Sequence, residues 1–262
     1  MISENRNMRS EEQNKITSKK KLQFFIVVIF LVANIFLWSM VMRVDTRGYL
    51  TVAFLNVGQG DAIYIEEQNG NQVLIDGGPG NVILRELGGV MPFYDHSLDM
   101  VIATHPDQDH VGGLPAVLEN MNVDNVLISE ISADTGAYKT FIENIEKEGA
   151  RKIIARAGEK IILDEGVVLE ILFPDRNTSG WETNTASIVA RLSYGDETFL
   201  FMGDSPIAIE KYLIGSYGAN LKTTVLKLGH HGSKTSSSRE FLSIVEPEYG
   251  IISSGKDNKY GH

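Results

Sequence analysis

The sequence predicts a mixed α and β domain over residues 47 to 262, carried behind one membrane-spanning helix over residues 22 to 42. Three observations predict it. An uncharged apolar stretch lies near the N-terminus. Short apolar runs separated by Gly-rich turns occupy both halves of the remainder, and segments of helical periodicity lie between those runs.

Residues 1 to 18 are polar, mixed in charge and poor in aromatics, the composition of a disordered tail, and the cytoplasmic segment is taken as residues 1 to 21. Leu22 to Met42 then runs LQFFIVVIFLVANIFLWSMVM, close to the roughly 20 residues that cross a bilayer as a helix. Lys19, Lys20 and Lys21 precede it, so the positive-inside tendency places the N-terminus in the cytoplasm and the domain outside. Trp38 stands where an interfacial anchor belongs. A cleavable signal peptide, giving a secreted form, is the rival, but its apolar core is shorter and no Ala-x-Ala-like site precedes Arg43. A buried core helix fits poorly because the stretch is apolar on every side.

In the first half, Leu50 to Leu55, Ala62 to Ile65 and Gln72 to Ile75 read as a meander of short strands, followed by a strand over Met100 to Thr104. Helices are predicted from Leu114 to Met121 and from Tyr138 to Glu148, where Phe141, Ile142 and Ile145 share a face and Gly149 marks the stop. Strands follow at Val167 to Phe173, Ser187 to Tyr194, Thr198 to Met202, Thr223 to Leu228 and Tyr249 to Ser253, with helices near Pro206 to Ser216 and Ser238 to Val245. Ile188, Ala190, Leu192 and Tyr194 alternate with polar residues as in a half-buried strand, although Val189 falls on the polar side.

The formal net charge is −10, so the chain as a whole repels nucleic acid, while a metal centre could still hold a small anion locally. The absence of cysteine excludes disulfides, thiolate ligands and a lipid-modified cysteine.

The chemistry concentrates in Thr104-His105-Pro106-Asp107-Gln108-Asp109-His110, two imidazoles and two carboxylates at the C-terminal end of an apolar strand. That donor set suits zinc, manganese or iron rather than calcium. The bland alternative is a strand-to-helix loop whose aspartates cap the helix.

The form His-x-Asp-x-Asp-His resembles the His-x-His-x-Asp-His signature of the metallo-β-lactamase superfamily, with aspartate in place of the second histidine. Five further segments occur in the family's order: Phe54 to Ala62 (FLNVGQGDA), Leu74 to Gly78 (LIDGG), Asn184 to Val189 (NTASIV), Phe201 to Asp204 (FMGD) and Leu226 to Ser233 (LKLGHHGS). Together they resemble the C-terminal hydrolase domain of ComEC-type competence proteins. Asn56 stands where that group usually has aspartate. The resemblance implies a four-layer αββα sandwich; pattern alone supports only the mixed α and β class.

The resemblance further implies a site for two divalent metal ions, zinc or manganese, with His105 and Asp107 on the first ion and Asp109 and His110 on the second. Asp204 matches the carboxylate that bridges them, with an N-cap before Pro206 as its bland alternative. Asp109 and Asp204 are the catalytic carboxylates on this reading. His230 and His231 match a late histidine ligand. Adjacent residues leaving a strand point to opposite faces, so one is expected to bind, with His230 preferred and His231 left to substrate or loop. Asn184 and Ser187 occupy the place where many relatives supply another histidine, which favours an oxygen-rich shell and brings manganese into competition with zinc. Ser233 and Lys234 offer a hydroxyl and a cation to phosphate oxygens. Asp61 and Asp76 are either orienting partners of the ligands or ordinary turn aspartates. Tyr260 and His262 match substrate contacts in a motif that normally continues with proline and a final helix, so either a truncated C-terminal end or a domain that ends unusually early is expected.

The function expected is hydrolysis of a phosphodiester by a hydroxide bridging two ions, with DNA, an envelope component or a small molecule as substrate. Alternatives are a carboxylic ester, lactone or β-lactam hydrolase, and a noncatalytic binding protein of the same fold.

Overall fold

The computed structural model describes residues 2–44, 49–256 and 258, with side chains in the N-terminal helix described for 17–40. The chain divides into two compact units at Arg47 and Gly48. The first is a single helix, α1 (Ile2–Val44). Residues 2 to 18, expected to be a disordered tail, are helical, in keeping with their Glu, Gln, Lys and Arg content. Within Thr17–Met40 an 18-residue stretch reaches a mean hydropathy of 2.3 with no buried residue, which makes the helix long and apolar enough to cross a membrane.

The second unit contains two six-stranded sheets. β1 (Thr51–Phe54), β2 (Ile63–Glu66) and β3 (Gln72–Ile75) form the expected antiparallel meander. After α2 (Val82–Val90) the sheet turns parallel, with β4 (Ser97–Ala103) paired to β3. The short α3 (Gln108–Val111) and α4 (Leu114–Asn120) lead to β5 (Asn122–Ile128), and α5 (Gly136–Glu148) leads to β6 (Arg151–Ile154). Thr135 caps α5 through its side chain, and Gly149 ends it in the left-handed conformation, as its sequence position predicts.

The second sheet begins with antiparallel β7 (Lys160–Asp164), β8 (Val167–Phe173), β9 (Val189–Tyr194) and β10 (Glu197–Phe201). It then turns parallel through α6 (Ile207–Tyr217), β11 (Val225–Lys227), α7 (Arg239–Val245) and β12 (Tyr249–Ile251).

Three apolar clusters bind these elements. One joins a face of the first sheet, through Tyr64, Leu74, Val101 and Val126, to α2, α4 and α5. A second brings Ile65, Val73 and Ile102 of the first sheet together with Leu169, Ile171, Ala190 and Leu192 of the second. In the third, Val189, Leu200 and Leu226 meet Ile209 and Leu213 of α6 and Phe241 of α7. Val189 therefore belongs to the helix-facing side of β9, which is covered rather than wet, and this accounts for the blurred alternation.

Each sheet switches from antiparallel to parallel partway across, at β3–β4 and at β10–β11. The segments after β3, β4, β10 and β11 carry Asp76, His105 to His110, Asp204, and His230 with His231. The two groups of loops meet where His110 Nε2 lies 3.2 Å from Asp204 Oδ1.

Candidate metal centre

Asp204 is the hub of the site. It follows β10, is almost fully buried, and its backbone amide donates to Ser187 Oγ at 3.2 Å. Its side chain does not cap α6, whose N-cap is Pro206. Four imidazoles present Nε2 to its carboxylate: His110 at 3.2 Å from Oδ1, and His231, His105 and His230 at 3.7, 3.8 and 3.8 Å from Oδ2.

Three of these rings have a hydrogen-bonding partner at Nδ1, and the fourth faces a carboxylate there. His110 Nδ1 lies 2.8 Å from Asp76 Oδ2, His105 Nδ1 is 3.0 Å from Thr104 Oγ1, and His230 Nδ1 is 2.9 Å from Thr235 Oγ1. His231 Nδ1 faces Asp61 Oδ1 at 3.3 Å. Asp76 also accepts from the Thr104 amide and hydroxyl at 2.8 and 2.7 Å, so one carboxylate braces two of the four rings. Fixing Nδ1 in this way leaves the Nε2 lone pair for a cation, the arrangement by which outer partners orient metal-binding histidines.

Asp107 Oδ2 lies 3.8 Å from His105 Nε2, and Asp109 Oδ2 lies 3.3 Å from His231 Nε2. Asp107 occupies the N-cap position of α3 without a side-chain capping bond, so the capping alternative does not describe it.

The expectation that only one of His230 and His231 faces the centre follows from strand geometry, and the structure corrects that premise. Both lie in a short 3₁₀ turn, Gly229–Gly232, with left-handed φ of 47° and 54°, which swings both rings toward Asp204. His231 is the buried one, its side chain 2% exposed against 30% for His230. Asp61, His110, Asp204 and His231 form a group whose donor atoms lie within 4.8 Å of one another.

The remaining predicted residues lie around this centre or outside it. Ser187 serves the Asp204 backbone. Asn184 sits in a 3₁₀ turn with its Oδ1 taking a 3.5 Å hydrogen bond from Thr183, and no described contact brings it to the histidines. The buried Ser233 accepts from the Thr235 hydroxyl at 3.1 Å, and Lys234 is exposed. Tyr260 and His262 lie outside the described residues. Thr104, Thr235 and Lys227 are participants that sequence reasoning does not find. Lys227 carries a usable signal, a lysine inside the apolar run of β11 that requires a buried counter-charge.

A divalent cation fits these residues. Among the buried side-chain atoms, His105 Nε2, His110 Nε2, both ring nitrogens of His231, Asp204 Oδ1 and Asp61 Oδ1 have no hydrogen-bond partner, although all lie in a polar cluster. Unsatisfied buried polar atoms are costly, and convergent imidazole and carboxylate donors are what zinc and manganese use.

Electrostatics divide the histidines. Burial and the neighbouring His110 charge push His105 below the ordinary histidine value. Burial also opposes charge on His110, but the Asp204 and Asp76 carboxylates raise it well above that value. His231 is raised to about 9 against burial by Asp109 and Asp61. Asp204 is held well below the carboxylate range, since the surrounding imidazoles outweigh its burial.

His231 therefore carries a proton near neutrality in the metal-free protein, with His110 shifted in the same direction, and a metal must expel it. Zinc or manganese affinity is expected to rise as pH increases from 6.5 to about 9, with net proton release on binding. Calorimetry in buffers of differing ionisation enthalpy measures that release; affinity independent of pH over this window contradicts it.

A family profile described as the metallo-beta-lactamase superfamily matches residues 55–256, most of the second unit. The chain belongs to that family. Among its relatives, Competence protein ComA of Neisseria gonorrhoeae is 34% identical over 215 residues, covering 80% of this chain and 28% of the relative. ComE operon protein 3 of Bacillus subtilis (strain 168) is 28% identical over 229 residues, covering 80% and 29%. These relatives bear out the ComEC-type resemblance, and the chain spans under a third of their length. Among solved structures, the metallo-β-lactamase fold protein YhfI from Bacillus subtilis aligns with a TM-score of 0.52 at 11% identity, covering 80% of this chain and 88% of that one, a likeness of fold alone. The chain is thus a metallo-β-lactamase-fold hydrolase related to competence proteins, with a candidate metal-binding group.

Proposed function

We propose that this chain is a membrane-anchored, metal-dependent phosphodiesterase built on a four-layer αββα sandwich, with its hydrolase domain outside the cytoplasm. The observation that carries the proposal is the convergence of four imidazole Nε2 atoms on Asp204, three of the rings hydrogen-bonded at Nδ1. The sandwich reading rests on the three apolar clusters, two pairing helices with a sheet face and one pairing the sheets. Lys19 to Lys21, ahead of the apolar span, support the orientation.

In this reading two divalent ions would be held by Asp204 together with His105, Asp107 and His230 for one, and His110, Asp109 and His231 for the other. When bound, such a pair supplies an activated water and stabilises charge on the attacking and leaving oxygens. The chain's own residues hold the donors in orientation through Asp76, Thr104, Thr235 and Asp61. Exposed Lys234 lies on the loop that follows the histidine turn, where a cation can pair with a phosphate oxygen. A phosphodiester is favoured over a carbonyl substrate by this lysine and by the nuclease activity that the ComEC-type resemblance implies. The formal net charge of −10 directs any DNA contact to the site rather than the general surface.

The test uses the full chain in detergent, loaded with zinc or manganese. Its substrates are bis-p-nitrophenyl phosphate, single- and double-stranded DNA, a lactone and a chromogenic β-lactam. Metal-dependent phosphodiester cleavage is expected, and activity confined to the carbonyl substrates overturns the proposal. The oxygen donor of Asp107 is what admits manganese. Asp107→His is therefore expected to raise the zinc-to-manganese affinity ratio by on the order of tenfold, read by competitive metal titration; an unchanged ratio refutes the selectivity argument.

A further inference from the structure

Lys227 closes β11 with none of its surface exposed. Its Nζ donates to Asp61 Oδ2 at 2.7 Å and to the Leu228 carbonyl at 3.1 Å. The other oxygen of the same carboxylate, Oδ1, faces His231 Nδ1 at 3.3 Å. On the far side of that imidazole, Nε2 faces Asp109 Oδ2 at 3.3 Å and Asp204 Oδ2 at 3.7 Å. Ammonium, carboxylate and imidazole thus stand in sequence from the interior to the centre, although Asp61 and Lys227 are 166 residues apart. The Asp61 backbone is fixed as well, its amide donating to the Asp109 carbonyl at 3.2 Å and its carbonyl accepting from the Gly78 amide at 2.8 Å.

We propose that Lys227 and Asp61 act as one unit that positions His231 for metal binding. Lys227 holds one carboxylate oxygen and leaves the other to accept the Nδ1 proton, so that Nε2 presents its lone pair to the ion. This rests on the metal-centre reading above and deepens it. Asp61 is close enough to be taken for a ligand itself, since it belongs to the compact group with His110, Asp204 and His231. Lys227 decides against that role. Its contact engages Oδ2, and Oδ1 faces the Nδ1 edge of the ring, whereas Asp204 faces the Nε2 edge. Asp61 therefore acts through His231, and Lys227 acts through Asp61; both are positioning residues.

Losing Lys227 alone would strand a buried carboxylate, so the informative variant neutralises both partners at similar size, Asp61→Asn with Lys227→Met. Zinc affinity is measured by chelator competition on the full chain in detergent, in the native and His231→Ala backgrounds. The paired substitution is expected to weaken zinc binding by about 10- to 100-fold in the native background. In the His231→Ala background it should change affinity by less than about twofold, because its route to the metal is already gone. Equal weakening in both backgrounds, or none in the native one, overturns the proposal. The wild type offers a reading that needs no variant: long-range proton–nitrogen spectra of the zinc-loaded chain should place the His231 ring proton on Nδ1, and a proton on Nε2 would contradict the arrangement. Failure of the wild type to bind zinc or manganese would instead defeat the metal-centre reading, and this proposal with it.

Discussion

Replacing Asp204 with alanine is expected to remove the paired ions and lower phosphodiester turnover by more than about a hundredfold, beyond the losses typical of outer partners. The reason is geometric. Four Nε2 atoms lie between 3.2 and 3.8 Å from its two oxygens, so this carboxylate is common to every histidine of the centre. In the metal-free protein it is also the counter-ion that raises His110, and deleting one partner of a buried pair costs about 3–5 kcal/mol. Thermal melting should therefore accompany the kinetics. Asp204→Asn, which keeps the volume, separates loss of charge from loss of packing. A well-folded Asp204→Ala variant that retains both ions and wild-type turnover would refute the role given to this residue.

The second large effect is expected at Gly60. This residue has φ of +125°, and a Cβ built on it would lie 2.0 Å from the carbonyl oxygen of Asp109. The neighbouring Asp61 amide already donates to that same oxygen. Gly60 is where the β1–β2 loop presses against the backbone of a candidate ligand. Gly60→Ala is thus expected to exceed the roughly 1–3 kcal/mol of backbone strain alone and to displace Asp109, weakening metal binding at the same time. Gly58 supplies the control, since it has φ of +84° but a Cβ added there would meet nothing within 4 Å. Gly58→Ala should cost about 1–2 kcal/mol with metal affinity preserved. Melting temperatures and chelator competition on both variants check the contrast; equal effects would show that contact with Asp109 is not what matters.

The parts of the fold that are legible in the sequence are those whose burial is one-sided or complete. β3 and β8 fall where their apolar runs predict, and α5 starts two residues before its first periodic residue and stops at its glycine. The segments that sequence reading passes over carry mixed signals. α2 contains Gly88 and Gly89, which read as loop, while its core-facing Ile83 and Leu87 are too few to establish a period. β6 is half exposed, and β7 turns Ile162 outward at 73% exposure, so neither alternates cleanly. At the site, the cluster from His105 to His110 is visible because its donors are nearly consecutive. The histidine turn is not, because two successive non-glycine residues at positive φ leave no pattern to read. Nor can spacing join Lys227 to Asp61, whose pairing exists only once β11 is brought against the β1–β2 loop.

The central claim is that the imidazoles around Asp204 are aimed at a pair of divalent ions. Elemental analysis of the purified full chain, after equilibration with zinc or manganese and removal of unbound metal, tests it most directly. The account predicts two ions per chain in the wild type and their loss in Asp204→Ala. A wild-type chain that retains no divalent metal under these conditions, while remaining folded, would contradict it.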